Sequence, residues 1–369
     1  MANQLIEIRM EALKGMMTEQ ALDFLLILNP GMGNIDCWLF AQEHLPTPAP
    51  FNRNSAFLIS AEGEVLKLCQ TTTHPTDRAQ YPHFDEVGLD EILPGKNVGV
   101  VNLPHLKKNV RDYLTQICPN LELRDVTAQF ELLKARKSSP EISALKTAAA
   151  EYDRLFFAAG LMLRPERLEK EVVNEIRQRL AWQGADGETP AFHNMVELTS
   201  APDGDPSASE VMLWPGRRLC VGDRVNVTVR GYIKGFAATL GRSFVLGEAS
   251  QEARNYWNLA VQAQDLAASL AKPGATLGQI SDQVNQFLVQ HGLSADQSGW
   301  IHGLGTGLYE SPRNVDITRD IPLVEGMVLS IGPAVKPESK DLYRCTDAFV
   351  VTAQGGLRLS RTPRTLREL

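Results

Sequence analysis

Residues 222–244, GDRVNVTVRGYIKGFAATLGRSF, read as a β-hairpin. Val225, Val227 and Val229 alternate with Asn226, Thr228 and Arg230, the period of a strand with one apolar and one polar face. A turn is expected across residues 231–235, and the return strand sets Ala237, Thr239 and Gly241 on one face. Thr228 and Thr239 are therefore expected to look into the same space from neighbouring strands.

Around this hairpin the chain has ordinary globular character. Its 369 residues predict two domains with material for sizeable cores. A net charge of −7, with no long Lys/Arg run, argues against a nucleic-acid partner and leaves a small molecule or short peptide as the expected ligand. Cys37, Cys69, Cys118, Cys220 and Cys345 are odd in number and form no CxxC pair, which fits reduced thiols of a cytoplasmic protein and gives no metal site. The opening stretch MANQLIEIRMEALKGMM mixes charges into its apolar residues and reads as an amphipathic helix rather than a signal peptide. No apolar run approaches the roughly 18 residues that a membrane span needs.

Upstream of the hairpin, FLLILN from Phe24 reads as a strand closed by the NPGMG loop, and SAFLIS and EVLKLC read as a hairpin. NVGVVNL and LELRDVT are expected strands flanking a helix HLKKNVRDYLTQI, so helix and strand alternate as in a small α/β domain. Polar residues 70–95 read as a long loop. A helix AQFELLKARK leads to Ser138-Ser139-Pro140-Glu141, where Ser139 is the expected cap and Pro140 the first helical position. The domain boundary is placed here, giving residues 1–135 and 136–369. In the second domain, AAGLMLRPERLEKEVVNEIRQRLAWQG and AASLAKPGATLGQISDQVNQFLVQHG share a helix end, a proline turn and a second helix stopped by glycine. A duplicated helix-helix-strand unit follows, with a cleft near its pseudo-symmetry axis.

These stretches resemble the creatinase/prolidase family, whose members include Xaa-Pro aminopeptidase, prolidase and creatinase. RMEALKGMMTEQALDFLLILNPGMGNI is similar to the family's N-terminal domain, and KARKSSPEISALKTAAAEYD to its linker and first catalytic-domain helix. GDRVNVTV, FAATLGRSF, IHGLGTGLYESP, VEGMVLSIGPAV and YRCTD resemble its catalytic motifs. The resemblance implies an α/β N-terminal domain of creatinase type, an α+β pita-bread C-terminal domain and a homodimer. It also implies five metal-ligand positions, four of them carboxylates. Here Thr228 and Thr239 stand at the two Asp positions, His302 is kept, and Gly332 and Thr346 stand at the two Glu positions. Hard divalent ions need charged oxygen or imidazole donors, so no metal and no cofactor is expected.

Metal-free creatinase hydrolyses a C–N bond with His and Glu side chains, yet its two glutamates fall at Gly241 and Gly332, and its histidine near Val211 or Met212; His193 lies too far upstream. By strand parity the pocket is expected to be lined by Asn226, Thr228, Arg230, Thr239, Ser330, Arg344 and Thr346, with His302, Tyr309 and Glu310 arriving from loops. His302, Tyr309 and Glu310 are the candidate catalytic residues. Thr228, Arg230, Thr239, Arg242, Arg344 and Thr346 are the candidate substrate contacts. The lost carboxylates and the added Arg230 give an expected pocket of inverted sign that takes a carboxylate, phosphate or other anion. Glu310 and Asp347 are expected as structural carboxylates paired with Arg242 or Arg344 at least as readily as groups serving His302. Three readings remain, in this order: a metal-independent hydrolase of a small C–N or amide substrate, a ligand-binding pseudoenzyme, and a metal-dependent Xaa-Pro peptidase.

Overall fold

The computed structural model describes residues 2–28, 55–69, 87–106, 108–117, 119, 121–182, 195–202, 216–296, 298–337 and 342–369. The NPGMG loop, His193, residues 211 and 212 and much of the 70–95 stretch lie outside them. The described chain divides into two compact units, Met1–Lys134 and Ala135–Leu369.

The N-terminal unit opens with helix α1 (Ala2–Glu19) and strands β1 (Phe24–Leu28), β2 (Ser55–Ser60) and β3 (Val65–Cys69). Helix α2 (Leu89–Ile92), β4 (Val98–Val101), α3 (Lys108–Ile117), β5 (Leu123–Asp125) and α4 (Thr127–Ala135) complete it. The sheet order is β3-β2-β1-β4-β5, with β1 antiparallel to β2 and parallel to β4. This explains why β1 is an unbroken apolar run rather than an alternating one. Leu25 and Ile27 enter a core with Leu13, Met17 and Phe130 on one face, while Leu26 enters a second core with Leu89, Val110 and Leu114 on the other. A strand covered on both faces has no polar side to show.

The second unit repeats a helix pair followed by strands. Helices α5 (Ser139–Met162) and α6 (Glu169–Trp182) precede β6 (Met195–Pro202), β7 (Asp223–Ile233) and β8 (Phe236–Val245). Helices α7 (Gln251–Leu270) and α8 (Leu277–Gln290) precede β9 (Ile301–Gly303), β10 (Glu310–Arg313), β11 (Val328–Ile331), β12 (Ala334–Val335), β13 (Tyr343–Arg344), β14 (Asp347–Thr352) and β15 (Gly355–Arg358), and β16 (Arg367–Glu368) closes the chain. Helix α5 is capped by Ser138, one residue before the expected cap: Glu141 reaches back to accept from both the Ser138 amide and its hydroxyl, which puts Pro140 second in the helix.

Two larger sheets have the orders β16-β8-β7-β6 and β10-β9-β11-β14-β15, and β12 pairs with β13 in a two-stranded one. The β7–β8 turn is tighter than expected, closing through Lys234 and Gly235, both at positive φ. Behind the second sheet, Trp257, Ala260, Ala263 and Ala267 of α7 and Ile280, Val284 and Leu288 of α8 meet Ile301, Leu329, Ile331 and Phe349. Spacings of three and four residues on α7, and of four on α8, make those apolar stripes.

The two sheets are joined by reciprocal backbone bonds, Gly241 N–H to Thr346 O at 3.0 Å and Thr346 N–H to Gly241 O at 3.1 Å. Beside this junction Asp347, fully buried, accepts from Arg242 Nη2 at 2.8 Å and Nη1 at 3.1 Å, from Gln264 Nε2 at 3.0 Å and from the Ser360 hydroxyl. Arg242 was a candidate substrate contact; its donors instead bind Asp347 and the carbonyls of Gly241, Thr346, Thr362 and Pro363. Replacing Asp347 with Ala strands that buried guanidinium, and urea denaturation is expected to show a loss of about 3–5 kcal/mol. Adding Arg242→Met is expected to return part of the loss.

Candidate functional site

Strand pairing assembles the first wall. In the β7–β8 register Thr228 lies opposite Gly241 and Arg230 opposite Thr239, so all four share one face. Strand β6 adds Glu197, opposite Thr228 and diagonal to Arg230. The second sheet pairs His302 with Ser330. His302 and Glu310 are strand residues of β9 and β10, not loop residues as the sequence reading had them.

Thr346 fills the middle of the site. A Cβ on Gly241 would fall 3.0 Å from Thr228 Oγ1 and 3.1 Å from Thr346 Oγ1, and one on Gly332 would fall 2.2 Å from Thr346 Oγ1. The volume that a longer side chain at position 332 would need is therefore held by Thr346. The Thr239 and Thr346 hydroxyls are 4% and 3% exposed as residues, and neither oxygen has a hydrogen-bond partner. Among the described residues no group of three or more His, Cys, Asp or Glu side chains is placed to hold a metal ion. Three threonines, a glycine and one imidazole do not fit a pair of divalent cations, because they bring no charge to offset the ions' own.

The expectation of an inverted, positive pocket is corrected by two carboxylates. Arg230 is salt-bridged to Glu197, and although burial works against its charge, that partner more than offsets it and holds the guanidinium above its ordinary pKa. Arg344 is different. Burial draws its pKa down, its Nη2 donates to the Ser298 hydroxyl at 3.4 Å, the Asp296 carboxylate stands 3.9 Å away, and its Nε has no partner. Asp296 is itself occupied, accepting from Ala334 N at 2.8 Å and Ser298 N at 3.0 Å.

His302 is 5% exposed and its Nδ1 lies 2.9 Å from the Gly303 carbonyl, which acts only as an acceptor, so Nδ1 carries the proton and Nε2 the lone pair. Burial, reinforced by Arg230 and Arg313, pushes its pKa down to about 4. The ring packs against Tyr309, centroids 4.6 Å apart, and Tyr309 is 48% exposed at the edge of the site.

Glu310, a candidate acid or base, is held elsewhere. It accepts from Lys137 Nζ at 2.7 Å and from Gly307 N at 2.8 Å, with both ion-pair side chains under 5% exposed. Its cation is thus Lys137, 173 residues away in sequence, rather than Arg242 or Arg344. The pair pins the turn that carries Tyr309, which is also tied by Leu308 N to the Tyr232 hydroxyl and by Ala237 N to Gly305 O.

Residues 143–353 match the profile of Metallopeptidase family M24. A Xaa-Pro dipeptidase of Pyrococcus horikoshii is 24% identical over 281 residues, covering 76% of this chain and 74% of that protein. One of Pyrococcus furiosus is 25% identical over 264 residues, covering 70% of each. Among solved structures, an X-Pro aminopeptidase from Thermotoga maritima superposes with a TM-score of 0.77 at 19% identity, covering 98% of this chain and 99% of that one. Dipeptidase PepE from Mycobacterium ulcerans gives 0.78 at 20% identity, covering 100% and 99%. Both structural matches run through the N-terminal unit as well as the second, so the fold is the α/β domain plus pita-bread domain anticipated from the motifs.

Two outcomes are expected. His302 has a lowered folded pKa, so its contribution to stability is complete above pH 6.5 and is lost as pH falls toward 4, by about 1.4 kcal/mol per unit at most. Denaturation at stepped pH is expected to show this slope in the native protein and not in His302→Gln. Lys137→Met leaves Glu310 buried without its cation and is expected to cost about 3–5 kcal/mol. Lys137→Met with Glu310→Gln is expected to cost less than the sum of the single changes in a double-mutant cycle.

Proposed function

The chain belongs to metallopeptidase family M24, and from that premise we propose that it keeps the family's pocket for metal-independent binding of a small ligand. The observation that carries this reading is the position of Thr346. Its side chain packs on Gly241 and Gly332 and leaves a buried hydroxyl, not a carboxylate, at the centre of the site. Binding stands first, ahead of hydrolysis, which reverses the order expected from sequence. Glu310 is locked to Lys137, and no described carboxylate bonds to the His302 ring.

Metal-independent hydrolysis is the second reading, favoured by the His302 Nε2 lone pair. A group with a pKa of about 4 is unprotonated at neutral pH but a weak base, well below the match to ambient pH that general-base catalysis works best with. The relatives named Xaa-Pro dipeptidase bring a third reading, a metal-dependent peptidase. It requires carboxylates that positions 228, 239, 332 and 346 do not supply.

Elemental analysis of protein prepared without chelator and incubated with manganese, cobalt or zinc is expected to give far less than one ion per chain and no Xaa-Pro dipeptide cleavage. Stoichiometric metal with turnover lost in His302→Ala would return the third reading. Metal-free amide cleavage lost in the same variant would establish the second.

A further inference from the structure

Four polar groups of the pocket have no hydrogen-bond partner among the described residues. They are Nε of Arg344 and the hydroxyls of Thr239 and Thr346, none of which has a partner, and Nε2 of His302, which carries a lone pair. Buried polar groups are satisfied in nearly all native structures, by protein, ligand or water, so three of them beside an imidazole lone pair offer a ligand ready partners. Three can donate and one can only accept. Chain geometry gathers them: Arg344 lies two residues before Thr346, Thr346 bridges to Gly241, and Gly241 lies two residues from Thr239 on the same strand.

Charge narrows the class. Glu197 answers Arg230, Asp316 answers Arg313 at 2.6 Å, and Asp296 stands at 3.9 Å from Arg344, so the cations around the pocket are matched in number by anions. A dianion such as phosphate meets these carboxylates with only one under-compensated cation to hold it. A monoanion matches that single cation, and a planar carboxylate suits a guanidinium edge. The acceptor at His302 asks for an N–H or O–H beside the carboxylate.

We propose that the pocket binds a small monocarboxylate bearing a neutral hydroxyl or amide donor, with Arg344, not Arg230, anchoring the carboxylate, Thr239 and Thr346 donating to it, and His302 Nε2 accepting from the adjacent donor. This rests on the metal-independent binding reading.

The test titrates metal-free, full-length protein with glycolate, acetate, inorganic phosphate and glycinamide, read by calorimetry and by chemical shifts. Glycolate is expected to bind tighter than acetate, and acetate tighter than phosphate. Arg344→Gln is expected to weaken glycolate about tenfold or more, the loss of a charge-assisted hydrogen bond. Arg344→Lys keeps the charge without Nε and is expected to fall between, while His302→Phe is expected to remove the advantage of glycolate over acetate. Circular dichroism and thermal melting confirm that each variant is folded. Phosphate binding as tightly as glycolate, or glycolate affinity unchanged in a folded Arg344→Gln, overturns the proposal. If only glycinamide binds, the carboxylate class is wrong and metal-independent binding survives. If glycolate binds only after manganese is added, that underlying reading fails as well.

Discussion

The two reciprocal backbone bonds between Gly241 and Thr346 hold the site together. They bring the strand carrying Thr239 against the strand carrying Arg344, and they require the backbones to approach closely enough that Thr346 lies over two glycines. A side chain of any size at either glycine meets Thr346 or Thr228 first. The pocket's contents therefore follow from one close approach, with the buried Arg242–Asp347 pair locking the same junction from behind.

Much of this was legible because strand alternation and motif spacing are local signals. The valines of β7 mark which side of that strand carries Thr228 and Arg230, and the FLLIL run marks β1 as a strand, while its cover on both faces emerges from the fold. What escaped notice lay in partnerships over long sequence separations. Glu197 is 33 residues from Arg230 and sits on a strand that carries none of the quoted motifs, so the charge on Arg230 looks free in the sequence. Lys137 read only as part of the linker, though its ammonium reaches Glu310. Both omissions pushed the reading toward a more reactive and more positive pocket than the folded chain possesses. The capping residue slipped by one for a related reason: Ser138 and Ser139 are both competent caps, and the reach of Glu141 chooses between them.

Electrostatically the site is balanced rather than empty. Arginine and carboxylate groups surround an imidazole that burial keeps neutral, so the site carries no large net field. In such surroundings hydrogen-bond geometry discriminates ligands more sharply than overall charge does. Tyr309, half-exposed and packed at a tilt against His302, is more open to solvent than the arginine and carboxylate side chains around it.

The distance of 2.2 Å between Thr346 Oγ1 and the Cβ that Gly332 lacks also makes positions 332 and 346 a single steric unit. A side chain at 332 fits only if the one at 346 shrinks or turns away, so the effects of substitutions at the two positions do not add. The shape of the pocket floor is thus set by the pair and not by either residue.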